Sequence, residues 1–160
     1  MLEPLTPQDV QAALDAAETG IQVIHLQESA ETAPMAAAAL GTELGSIVKS
    51  LLFMADEKPV LVLTAGDQRV HDGKLATHFD IPRKRVKIAT PEQCIEIAGY
   101  KPGGVPPLGH RQKFPILIDQ TLSRFETVYA AAGWPETIFP IPYAKLVEIT
   151  GGTPANVIKD

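Results

Sequence analysis

The chain has 160 residues, 45% of them hydrophobic, and a formal net charge of −5 at neutral pH. That length suits one domain that buries roughly two thirds of its unfolded surface without staples, and a single cysteine, Cys94, excludes an internal disulfide or a cysteine-built metal cage. No apolar run approaches the ~20 residues of a membrane span, and the acidic balance excludes a protein that blankets nucleic-acid phosphates with a basic surface.

Residues 1–6 lack the basic and apolar regions of a signal peptide, so the cytoplasm is the expected compartment. Thr6 as N-cap and Pro7 at the first helical position open a helix that the spacing of Val10, Leu14 and Ala17 continues to Gly20. Residues 21–26 alternate as a half-buried strand, and the alanine-rich residues 33–44 read as a helix closed by Gly45. Residues 47–54 form a buried strand interrupted only by Lys49, and a polar turn at Asp56-Glu57-Lys58-Pro59 leads to a second strand at 60–64. A short helix is expected at 72–79, a strand at 86–89, and a helix at 91–98 with Thr90 as its cap. Strands follow at 116–118, 127–131 and 137–141, and a last helix at 142–149 ends on Gly151-Gly152. The order predicts a mixed α/β fold in one domain, residues 1–152, followed by a loose tail at 153–160.

Two features carry chemistry. Residues 99–110 hold four glycines and three prolines; glycine allows positive φ and close approach while proline fixes φ, so together they hold N–H groups in a set direction. Lys49 is the other feature, because an unpaired buried ammonium costs several kcal/mol and needs a partner or a ligand. Cations at Lys101, Arg111 and Lys113 flank the loop, and Arg83, Lys84, Arg85 and Lys87 form a run that reads either as a solvated turn or as part of a contact surface. His25, His71 and His78 have no metal-ligand spacing, and Cys94 reads as a small buried apolar residue, so neither a metal nor a cofactor is expected. Asp119 either orients loop residues or caps the turn at Gln120-Thr121.

Ile47-Val48-Lys49-Ser50-Leu51-Leu52-Phe53, Leu61-Val62-Leu63-Thr64-Ala65-Gly66-Asp67, Gly103-Gly104-Val105-Pro106-Pro107-Leu108-Gly109-His110 and Phe114-Pro115-Ile116-Leu117-Ile118-Asp119 together resemble the YbaK/ProX family of aminoacyl-tRNA deacylases, related to the editing insertion of bacterial prolyl-tRNA synthetases. The resemblance implies a mixed, partly closed β-sheet or barrel flanked by helices, and hydrolysis of the ester of mischarged tRNA, with tRNA for proline carrying alanine or cysteine as the expected substrate. It implies partners in the tRNA acceptor end and prolyl-tRNA synthetase, and no membrane. The resemblance assigns catalysis to Lys49 and to the backbone at Gly103 and Gly104, with water attacking, the terminal ribose 2′-hydroxyl assisting, and fixed N–H groups stabilising the oxyanion. Ser50, Lys101, Pro106, Gly109, His110, Arg111 and Asp119 make up the expected substrate-binding set.

Members specialised for cysteine carry a serine soon after the tyrosine matching Tyr129 and an aspartate in the next strand, where this chain has Ala131 and Ile138. That departure, and the small residues Ala130, Ala131 and Ala132, favour alanine, although one methylene is worth only ~1–3 kcal/mol. A noncatalytic module that holds an aminoacyl or nucleotide end would keep the same lysine and loop, and a small-acyl esterase would act without tRNA.

Overall fold

The computed structural model describes residues 2–160, in which one eight-stranded mixed sheet is flanked by helices. Helix α1 (Pro7–Ala16) starts where its cap predicts, the Thr6 amide donating to Asp9 Oδ2 at 2.7 Å. The short strand β1 (Ile24–His25), helix α2 (Ala33–Leu40), the long hairpin β2 (Ile47–Ala55) and β3 (Lys58–Ala65), helix α3 (Asp72–Phe79) and strand β4 (Val86–Ile88) follow. Helix α4 (Pro91–Gln93) runs on as a π-helical turn, Cys94–Ala98. The Gly/Pro loop then leads to β5 (Ile116–Asp119), β6 (Thr127–Ala131), β7 (Thr137–Pro142), α5 (Tyr143–Thr150) and β8 (Thr153–Ala155).

The sheet order is β1-β7-β6-β2-β3-β5-β8, with β4 added on β2. Alternation along the central hairpin divides the interior. Val48, Leu52, Leu61, Leu63 and Ala65 join Val10 and Leu14 of α1 and Leu146 of α5 in the larger core. Phe53, Ala55, Val60 and Val62 pack on the opposite side with Leu75 and Ala76 of α3 and with Val157. Helix α2 closes a third cluster against Ile47 and Ile138.

Three expectations are corrected. The segment expected as a strand at 21–26 shortens to two residues, because the Gln11 side chain takes over its backbone groups: Nε2 donates to Ile21 O at 2.9 Å and Oε1 accepts from Val23 N at 2.8 Å. The helix expected to close on Gly45 ends four residues earlier at Gly41, which adopts the left-handed conformation at φ 66°. The residues expected as a loose tail are instead fastened: β8 pairs in parallel with β5, Val70 bridges Ile158, the Lys159 amide donates to Arg69 O at 2.8 Å, and Val157 is buried. Pro154 is tolerated there because β8 is an edge strand with no further neighbour in the sheet order.

Candidate active site

The site originates in a gap in the sheet. Strand β6 pairs with β2 only at Ile47 and Val48, and β4 pairs with the same strand only from Phe53 to Ala55. Among the described residues, Lys49, Ser50 and Leu51 have a partner strand on the β3 side alone. A cleft of about 410 Å³ opens over this gap. Its walls are the N-terminal turn of α2 with Glu31 and Thr32 before it, Tyr129, Ala131 and Ile138 of β6 and β7, and Gly103 and Val105 from the Gly/Pro loop.

Lys49 stands opposite Thr64 in the β2–β3 register, and its ammonium reaches over to donate to the Gln68 carbonyl at 2.6 Å. Its partner is thus a neutral oxygen in the turn after β3. Burial holds the Lys49 pKa below the ordinary lysine range; nearby Arg69 lowers it further, while Asp67 and Asp119 act in the opposite sense. Ser50 points to the other face, opposite Leu63, and its buried Oγ has no hydrogen-bond partner among the described residues. A buried hydroxyl left in that state carries a desolvation cost that a bound polar group would relieve.

The loop is held from behind. Gly99, at φ 104°, ends the π-helical turn with its N–H on Cys94 O and accepts from the Leu5 amide at 2.7 Å. The buried Tyr100 hydroxyl donates to Gly109 O at 2.9 Å, and burial pushes its pKa up, so it stays a neutral donor. Gly103 takes φ 88° at the exposed tip, where an added Cβ would meet the Glu31 carbonyl at 3.3 Å. Gly104 lies one step deeper: its amide closes a turn onto Lys101 O at 3.0 Å, its carbonyl accepts from Gly133 N at 2.9 Å, and a Cβ would approach Gly133 O to 2.5 Å. The amides of Gly103 and Val105 have no protein acceptor among the described residues.

The aminoacyl-tRNA editing domain model matches residues 27–149, which is most of the chain and every wall of the cleft. The chain belongs to the aminoacyl-tRNA editing domain family. It is 30% identical over 112 residues to the uncharacterised protein YwhH of Bacillus subtilis strain 168, covering 69% of each. It is 37% identical over 87 residues to the proline–tRNA ligase of the same organism, a match spanning 53% of this chain and 15% of the synthetase. A solved structure described as a candidate trans-editing enzyme for prolyl-tRNA synthetase superposes with a TM-score of 0.91 at 35% identity, covering 100% of both chains.

Of the residues singled out from sequence, this editing domain brings Lys49, Ser50 and Gly103 together in the cleft, with Gly104 directly beneath. The other members of the expected substrate-binding set, Lys101, Pro106, Gly109, His110, Arg111 and Asp119, lie outside its lining. His110 Nε2 donates to Pro106 O at 2.7 Å and its ring lies 4.8 Å from Phe114, so it braces the loop; burial lowers its pKa, and the Pro106 bond opposes that shift. Asp119 is fully buried and accepts from Ala65 N at 3.0 Å and from Thr121 N and Oγ1, each at 2.9 Å, so it caps the turn after β5, one of the two roles expected of it, and ties that turn to the end of β3. Arg111 is occupied by the Ile95 and Glu3 carbonyls. Lys101 is exposed on the loop's first turn, and Pro106 and Gly109 shape the loop behind its tip.

Ala131 and Ile138 face each other across the β6–β7 pair and both line the cleft, whereas Ala130 and Ala132 are buried in the core. Sequence reading missed Glu31, Thr32 and Pro34 in the wall, although the Thr32 cap followed by Pro34 marks a helix start, the Thr32 hydroxyl accepting from Met35 N at 3.3 Å.

Proposed function

We propose that the chain is a trans-editing aminoacyl-tRNA deacylase that hydrolyses the ester of tRNA for proline mischarged with a small amino acid such as alanine or cysteine. The observation that carries this reading is a single cleft, in an editing-family chain, that combines a half-buried ammonium, loop-tip amides without a protein acceptor and a small apolar wall. Similarity to proline–tRNA ligases and to the candidate trans-editing enzyme supports the choice of tRNA.

In this reading the aminoacyl ester lies across the gap in β2. Water adds to the carbonyl, the bond to the ribose oxygen breaks, and the free amino acid leaves as the tRNA hydroxyl recovers its proton. The terminal 2′-hydroxyl assists the attack. The Gly103 amide, with Val105 beside it, faces the negative charge that develops on the carbonyl oxygen, where removal of one fixed donor typically costs ~10²–10³ in rate. Gly104 fixes that pair in place through its own turn. Lys49 sits near the ester and orients it. The facing Ala131 and Ile138 give the side chain a short apolar seat and offer a thiol no polar partner, which favours alanine over cysteine.

The test is a panel of aminoacyl-tRNAs incubated with catalytic amounts of protein, with released amino acid measured over time. Alanyl-tRNA for proline is expected to be cleaved at many turnovers and prolyl-tRNA spared. Hydrolysis at the buffer rate for every small amino acid would remove the enzyme reading in favour of a binding module, and tRNA-independent ester cleavage would identify a small-acyl esterase.

A further inference from the structure

Lys49 borders a second depression on the far side of the cleft, of about 540 Å³, and Lys49, Leu51 and Gly66 line both. The second groove adds Asp67, Gln68 and Arg69 from the turn after β3, Phe53 and Val70, and Lys159 from the C-terminal segment. Three cations therefore share one groove. Arg69 and Lys159 are both exposed, and among the described residues none of the three makes an ion pair. The one carboxylate of the groove is already engaged, since both Asp67 oxygens accept from the Arg124 guanidinium, at 2.8 and 3.0 Å. Like charges held together with no free anion repel one another, and the lowering of the Lys49 pKa by Arg69 is one sign of that repulsion.

This cluster is built by the chain's end. Lys159 reaches the groove because its amide is bonded to Arg69 O at 2.8 Å and Ile158 bridges Val70, while Lys74 Nζ donates to Ile158 O at 2.6 Å and pairs with Asp160 at 2.9 Å. The fastened C-terminus thus carries a cation to the mouth of the site, and Asp160, which would oppose it, is turned away onto Lys74.

Given the deacylase reading, on which this step rests, we infer that the Lys49–Arg69–Lys159 groove holds a phosphodiester of the single-stranded 3′ end of tRNA while the ester it carries enters the adjoining cleft. A groove with three cations outside any ion pair and the apolar surfaces of Leu51, Phe53 and Val70 fits a backbone phosphate flanked by a base or sugar. Because Lys49, Leu51 and Gly66 line both depressions, a phosphate held there lies beside the end that enters the cleft.

The experiment compares wild type with Arg69→Ala, Lys159→Ala and their charge-keeping controls Arg69→Lys and Lys159→Arg. Dissociation constants are measured over a salt series for an acceptor-stem hairpin with its single-stranded 3′ end, for the same hairpin without that end, and for free adenosine monophosphate. Each alanine variant is expected to weaken binding of the complete hairpin roughly three- to tenfold at low salt and to reduce the slope of log K against log salt by about 0.7, the value for one single-strand phosphate contact. The charge-keeping variants should retain the wild-type slope, and the truncated hairpin should respond little to any substitution. Unchanged affinity and slope in a protein that still binds and deacylates would overturn the groove while leaving the deacylase reading intact. An equal loss with the truncated hairpin would move the contact to the duplex, and a loss seen only with the free nucleotide would make the groove a mononucleotide site; either result overturns the proposal. Wild type that binds none of the RNAs would sink both readings together.

Discussion

Lys49 is half-buried, bonded to a carbonyl, and placed where the cleft and the cationic groove meet, which is the position the proposed ligand role requires. Lys49→Ala is expected to keep stability within about 1 kcal/mol, since removing a desolvated ammonium offsets the lost bond and packing, and to reduce deacylation by roughly 10²-fold or more. Thermal melting and single-turnover hydrolysis check the two halves separately, and a folded, fully active variant would exclude Lys49 from the site. His110 makes the opposite prediction. It is held neutral by burial, so between its lowered folded value and the ordinary histidine value near 6.5 the unfolded chain binds the extra proton. Stability should therefore fall as the pH drops below about 6.5 and level off once both states are charged. His110→Gln, which keeps a donor for Pro106 O but cannot titrate, should flatten that segment of the melting-temperature profile and leave turnover within a few-fold of wild type; a large loss of kcat would make His110 a participant in the chemistry.

The Gly/Pro loop separates two glycines that look equivalent in sequence. Gly103 needs its glycine for a left-handed φ and for clearance from Glu31, whereas Gly104 needs its own for the approach to Gly133 O. Gly103→Ala is expected to cost about 1–2 kcal/mol of stability and, on the proposed mechanism, to reduce turnover more than binding, since there its amide acts on charge that exists only in the transition state. Gly104→Ala must displace backbone, so it should destabilise more and reduce binding and turnover together; unfolding midpoints and the split between KM and kcat distinguish them. Local signals made most elements readable. Thr6-Pro7 and Thr90-Pro91 start helices where those residues cap and preset φ, and β2, β3 and β6 declare themselves by apolar runs bounded by turns. What stayed hidden was non-local. Gln11 replaces strand pairing at residues 21–23, β8 exists only because β5 offers an open edge, and the gap between β6 and β4 depends on where two distant strands stop on β2. Lysine and loop could be named from sequence, but which amides remain open at the loop tip followed only from the turn that consumes that of Gly104.

On the proposed function, a molecule with a net charge of −5 meets its polyanionic substrate through local cations, and the fold decides which ones remain available. Arg83 pairs with Asp72 at 2.6 Å, Arg85 with Asp56 at 3.1 Å and Arg124 with Asp67, while Arg111 is occupied by two carbonyls. Lys101 and Lys113 beside the loop, Lys84 and Lys87 beyond β2, and the cations of the groove make no ion pair among the described residues. So few contacts cannot support tight binding through the whole tRNA body, and affinity at physiological salt should sit near the ~10⁻⁴–10⁻⁶ M range of nonspecific electrostatic association. An acceptor-stem hairpin should then bind within about threefold of full-length tRNA, because charge and cleft both address the end of the molecule. Neutralising Lys101 and Lys113 together should weaken both RNAs equally and reduce the salt slope, whereas Arg111→Ala should lower the melting temperature, since it unfastens Glu3 and Ile95. Side-by-side titrations of the two RNAs decide the matter: strong, salt-dependent binding that needs the anticodon would contradict an end-on mode, and affinity that appears only when prolyl-tRNA synthetase is added would make the synthetase the source of the missing contacts.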